Sequence, residues 1–184
     1  AILAQGFKSR GKLNEATVVA TVMSNLGFLI AMKDAGINVV KTAVGDRYVL
    51  ENMLENKYTL GGEQSGHIIM REFAGTGDGL LTALQLITEM ARSKKSLQEL
   101  SKIMNRFPQV LINVSGVVKE KLDSSTAIKA AVAKYEAELG DAGRILLRAS
   151  GTESLVRVMV EAQSDNIAKE IAEKLAAVVK EELR

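Results

Sequence analysis

From residue 17 onward the chain alternates short β-branched apolar runs with longer stretches whose apolar residues recur every three or four positions. TVVATVM, starting at Thr17, predicts a buried strand, and NLGFLIAMKDAG predicts a helix closed by Gly36. NVVKTAV predicts a second strand. GDRYVLENMLEN predicts a second helix whose inner face would carry Tyr48, Val49, Met53 and Leu54. YTLGGEQSGHIIM then predicts a strand, a glycine-rich loop and another strand, and GTGDGLLTALQLITEMARSKK a long helix whose basic end suits its dipole. Strands alternating with helices imply an α/β layer structure built on a mixed sheet.

The pattern changes after SLQELSKIMNRFPQ, a short helical stretch running to Pro108, the single proline of the chain. This stretch is expected to be a connector, with residues 93–108 as a candidate hinge and a domain boundary near residue 104. Beyond it, VLINVSGVVKE predicts a strand, STAIKAAVAKYEAEL a helix, and GRILLRASGTESLVRVMVEA a strand, a loop and a strand. DNIAKEIAEKLAAVVKEEL predicts a terminal amphipathic helix starting from an Asp/Asn cap. The fold expected is an α/β domain over residues 1–103, followed over 104–184 by a small α+β domain with an antiparallel sheet and two helices. At the start, AILA reads like the inside of an element already under way, as in a fragment or processed piece.

Composition narrows the chemistry. The 24 basic and 22 acidic side chains leave a net charge of +2, too balanced for a nucleic-acid-binding or membrane-binding surface. An anion site must therefore be local. No cysteine is present, which excludes disulfides, thiolate metal sites and thiol nucleophiles and suits a cytoplasmic protein. No apolar run approaches the roughly 18 residues of a membrane span.

Four glycine-containing stretches invite a ligand. GFKSRGKL, residues 6–13, has the spacing of a nucleotide-binding P-loop, but Leu13 stands where a magnesium-holding hydroxyl is required, so a surface loop is expected. In GTGDG, residues 75–79, the glycine spacing departs from the dinucleotide fingerprint, and Asp78 is expected to cap the following helix or to be an acid of its first turn. GGEQSGHI, residues 61–68, places Glu63, Ser65 and His67 at alternate positions. An extended backbone would project a carboxylate, a hydroxyl and an imidazole to one side, a set suited to sugar hydroxyls, although a polar hairpin edge with a surface histidine is the commoner origin of such a pattern. In RASGTESLVR, Arg148, Ser150 and Thr152 alternate around Gly151, and Arg157 follows on the next strand. A guanidinium fork, two hydroxyls and backbone donors suit phosphate, while a Ser-Gly turn with solvated arginines fits the same residues.

The order of these two loops, about 85 residues apart, with VGDRYV upstream and GTGDGLLTAL after the first, closely resembles the C-terminal half of the α-D-phosphohexomutases. The resemblance covers essentially the whole chain. It implies the third, sugar-binding domain and the fourth, phosphate-binding domain of a four-domain enzyme, with the N-terminal domains as missing partners. It also implies interconversion of glucosamine 6-phosphate and glucosamine 1-phosphate through a phosphoserine and a hexosamine bisphosphate, with Mg2+ as cofactor and a homodimer as a possible assembly. Glucose or mannose phosphates remain alternative substrates, and a non-catalytic phosphosugar-binding module remains an alternative function. By resemblance, Glu63, Ser65 and His67 read the sugar, with Arg47 of VGDRYV facing it, and Arg148, Ser150, Gly151, Thr152 and Arg157 hold the phosphate that does not react. Ser154 stands where the family has proline. Neither the family's phosphoserine loop nor its Asp-Gly-Asp metal loop occurs in these residues, so this chain alone is expected to be inactive.

Overall fold

A computed structural model describes residues 1–184, which divide into two units, Ala1–Arg106 and Phe107–Arg184; the expected boundary lay near 104. In the first unit the central strand is β1 (Thr17–Thr21), buried at every position. It runs parallel to β2 (Asn38–Thr42) on one side and to β3 (Leu60–Gly62) on the other, and β4 (Ile68–Met70) closes the sheet antiparallel to β3. The mixed sheet is thus ordered β2-β1-β3-β4.

The chain leaves β1 to one side for β2 and returns past it to β3. Right-handed crossovers therefore put the two connecting helices on opposite faces. Helix α2 (Leu26–Asp34) packs Ala31 and Met32 into the cluster that holds Val18, and helix α3 (Asp46–Glu55) packs Val49 and Met53 beside Val19. Neighbouring residues of β1 serve different cores, which is why TVVAT lacks any polar alternation.

Two expectations are corrected here. Tyr48 and Leu54 do not join the inner face of α3 and stand about half exposed (49% and 56%). That face is narrow because α3 lies close over Gly61, where a Cβ would come within 2.5 Å of the Met53 sulfur and 2.7 Å of Val49 Cγ1. Residues 6–9 of GFKSRGKL are not a loop but the end of helix α1 (Ile2–Ser9), which buries Leu3, Ala4 and Phe7 on α2's side of the sheet. Leu13 is buried in the same cluster, so the stretch serves the core and leaves no phosphate cradle. The long helix α4 (Gly79–Ser93) follows, capped by Asp78 as expected, and then the short α5 (Leu97–Ser101), which starts with a Ser96–Glu99 capping box.

The second unit is a three-stranded antiparallel sheet with two helices. Strand β7 (Leu155–Glu161) lies in the middle, between β5 (Gln109–Ser115) and β6 (Arg144–Ala149). Helices α6 (Thr126–Leu139) and α7 (Asp165–Glu182) complete it. Val156, Val158 and Val160 share a core with Ala168, Ala172, Leu175 and Val179 of α7. Alternation therefore turns Leu155, Arg157, Met159 and Glu161 to the other face. The cap of α7 is Ser164, not the expected Asp/Asn, because Asp165 and Asn166 already lie inside the first turn.

Candidate functional site

In open α/β sheets ligands bind beyond the carboxyl ends of parallel strands where the strand order reverses, and here it reverses around β1. The loops following β1, β2 and β3 gather at that edge of the first unit, and GGEQSGHI supplies the last of them. Its five loop residues, 63–67, form a tight hairpin connection: the Glu63 carbonyl accepts from Gly66 N (3.1 Å), and Glu63 N donates to the His67 carbonyl (2.9 Å). Gly66 sits at φ 102°, a conformation that excludes a side chain at little strain.

The expected extended presentation of Glu63, Ser65 and His67 on one side is therefore wrong. The turn splits the three. Ser65 Oγ and His67 Nδ1 approach within 3.3 Å and stay exposed. The His67 ring also lies over Gly77, where a Cβ would meet its Cδ2 at 3.2 Å, so the small residue after β4 leaves room for it. Glu63 instead turns to the loop before α3 and accepts from Gly45 N at 2.9 Å. Gly45 holds φ 133°, a region essentially restricted to glycine, so the start of α3 and the carboxylate are fitted to one another.

Arg47 stands in the first turn of α3, two residues from this contact. Its guanidinium reaches along the helix to Glu51, Nε to Oε1 2.7 Å, and remains largely exposed. That hydrogen bond, reinforced by the Glu51 charge, raises the Arg47 pKa above its already high ordinary value. The structure brings Arg47 near the loop but not its guanidinium to Glu63, Ser65 or His67.

The second loop lies in the other unit, between β6 and β7. Arg148 on β6 is directly opposite Arg157 on β7, and Arg157 is opposite Asn113 on β5, so the three form a row on the face turned away from the helices. Opposed like charges on paired strands are unfavourable. Only Arg157 has a carboxylate nearby, Nη2 to Glu153 Oε2 at 3.4 Å, and the Nε groups of both arginines are buried without a hydrogen-bond partner. Two cations held side by side with unused donors form an arrangement that an anion would complete.

Ser150 is 3% exposed, and its hydroxyl accepts from Glu153 N at 3.2 Å, while its own N–H donates to the Leu155 carbonyl at 2.9 Å. Its work in this state is to shape the loop. Gly151 and Thr152 are exposed, and a Cβ on Gly151 would meet nothing within 4 Å, leaving open space above the backbone.

The sequence pattern gave no sign of Lys119, which precedes this loop by some 30 residues. Its Nζ donates to the carbonyls of Ser150 (2.6 Å) and Glu153 (3.0 Å). Across a trans peptide the C=O and the following N–H point in opposite directions. Holding the Ser150 carbonyl toward Lys119 therefore aims the Gly151 N–H away from it. Ser154, at the family's proline position, reaches the Val117 carbonyl with its Oγ at 3.5 Å, a marginal substitute for a fixed ring. No group of three or more His, Cys, Asp or Glu side chains that could hold a metal ion occurs in the structure.

Comparison with known proteins fits this architecture. Residues 1–107 match the family model for the phosphoglucomutase/phosphomannomutase α/β/α domain III, and residues 111–178 match that for the family's C-terminal domain. Curated relatives named phosphoglucosamine mutase include one from Leifsonia xyli, 58% identical over 100% of this chain and 40% of its own length, and one from a Parafrankia species, 58% identical over 100% and 39%. The chain thus spans about two fifths of the relatives it matches, at their C-terminal end. Among solved structures, Aspergillus fumigatus N-acetylphosphoglucosamine mutase in complex with GlcNAc-6P and magnesium shares the fold at TM-score 0.80 and 20% identity, over 100% of this chain and 43% of that one. A serine-to-alanine variant of the same enzyme, in complex with glucose 1,6-bisphosphate, superimposes at TM-score 0.77 and 20% identity, covering 98% and 42%. The chain belongs to the phosphoglucomutase/phosphomannomutase family, of which it spans domain III and the C-terminal domain.

Proposed function

We propose that this chain is the substrate-holding C-terminal part of a phosphoglucosamine mutase, which interconverts glucosamine 6-phosphate and glucosamine 1-phosphate. The observation that carries the proposal is the opposed Arg148–Arg157 pair with its buried, unused Nε donors beside an open Ser-Gly-Thr loop. The Glu153 carboxylate meets Arg157 alone, and a phosphate carrying nearly two negative charges would neutralise both guanidinium groups. In this reading the guanidinium forks and the Gly151 N–H hold the non-reacting phosphate, with Thr152 adding its hydroxyl and Ser150 keeping the loop in shape. Glu63, Ser65 and His67 contact sugar hydroxyls, and Arg47 joins them by releasing Glu51.

A fixed distal phosphate accounts for both directions of reaction. A sugar held by one phosphate presents its other end to the phosphoryl donor, and the same grip serves after the sugar has turned end for end. The phosphoserine that exchanges the phosphoryl group, and the Mg2+ that neutralises its oxygens, belong to the preceding domains in this scheme, with the bisphosphate as intermediate. A cytoplasmic location and a homodimer of the longer protein accompany the proposal.

Calorimetric titration of the chain with glucosamine 6-phosphate, glucose 6-phosphate, mannose 6-phosphate and inorganic phosphate tests it. All four are expected to bind weakly through the phosphate, glucosamine 6-phosphate best, and Arg148→Ala is expected to abolish binding. Equal binding before and after that substitution would sink the assignment.

A further inference from the structure

Helix α4 carries its apolar stripe outward. Leu80, Leu84 and Ile87 recur at i, i+4 and i+7, and Ala83 and Ala91 fall on the same arc of a helix with 3.6 residues per turn. All five are exposed, Leu80 at 74%, Leu84 at 55% and Ile87 at 58%. The only residue that α4 buries fully is Glu89, on the opposite side, where it pairs with Arg10 of the α1 turn (2.5 Å) and lies against Gly6 of α1. No charged residue occurs from Gly79 to Thr88 to keep the outer face in water. A helix that turns its carboxylate inward and its leucines outward carries the kind of apolar face that marks an interaction surface.

We propose that this stripe docks the domain preceding Ala1 in the longer proteins of the family, an inference that rests on the reading of the chain as their C-terminal part. Two observations favour that occupant. The relatives extend well beyond this chain, which covers 40% of their length at the C-terminal end. Helix α1, which follows directly on the first residue, packs on α4 through the Gly6–Glu89 contact, and Ala1 and Leu81 of α4 pack against the same core cluster. A polypeptide entering at Ala1 thus arrives where α1 meets α4, and an apolar surface on the entering domain would match the outward stripe of α4 without any charge to desolvate.

The chain holds no cysteine, so Leu84→Cys gives a single reactive thiol on the stripe and Lys129→Cys a control on the exposed side of α6. Each is placed in the 184-residue chain and in a full-length protein that joins the N-terminal part of the Leifsonia xyli relative to Ala1. Alkylation is read by mass at the residue in question. Labelling of residue 84 is expected to slow by about tenfold or more in the joined protein, because the thiol reacts only when the contact opens, while residue 129 labels equally in both. Equal rates at residue 84 overturn the proposal. So does slow labelling already present in the 184-residue chain: relief on dilution makes a second copy the occupant, and independence of concentration makes it another part of the chain. Assaying the joined protein on glucosamine phosphates separates the two claims, since protection without mutase activity sinks the functional reading and leaves the docking surface standing.

Discussion

Replacing Arg148 by methionine should make the free chain more stable while removing its response to phosphate. Methionine keeps the apolar stem that packs on the sheet and removes two unfavourable features of the wild type. The first is the buried Nε without a partner, a class of defect that costs about 1–3 kcal/mol. The second is the opposition of Arg148 to Arg157, since like charges facing each other across paired strands cost a few tenths to about 1 kcal/mol. Allowing for the screening of a half-buried pair, a net gain of about 1–2 kcal/mol follows. A gain of that size would raise the melting temperature of a unit this small by roughly 4–16 °C. Phosphate at one hundred times its dissociation constant stabilises the wild type by about 2.7 kcal/mol, and the variant should lose nearly all of it. Thermal melts with and without inorganic phosphate, with hydrogen exchange of the β7 amides to identify the transition, give both numbers. A variant that melts lower than wild type and keeps its phosphate response would show that Arg148 is a structural residue and that the anion reasoning is wrong.

Lys119→Met removes the two charge-assisted bonds to the Ser150 and Glu153 carbonyls, and phosphate affinity measured by titration should fall about tenfold, with faster amide exchange in residues 150–154. An unchanged affinity would mean that the loop keeps its shape without the lysine. Gly27→Ala would drive a Cβ into the backbone carbonyl of Asn105, which cannot swing aside as a side chain could; denaturant melts should show a loss of about 1–3 kcal/mol confined to residues 1–106.

Local pattern alone determined much of this protein. TVVAT is β-branched almost throughout because β1 is buried on both faces, and the 3.6-residue period of α6 and α7 follows from one apolar side each. The order of the two glycine-containing loops was enough to suggest the family. Only the tertiary structure decided the rest, because each remaining feature depends on residues far apart in the chain. The inner face of α3 shrank to Val49 and Met53 because Gly61 draws the helix close, and Glu63 left its neighbours for Gly45, an amide 18 residues upstream. Lys119 reached a loop more than 30 residues downstream, a contact that no local spacing encodes. In RASGTESLVR the sequence supplied two arginines nine positions apart. Antiparallel pairing set them opposite each other with unsatisfied donors, and that juxtaposition of like charges is the physical reason to expect an anion there.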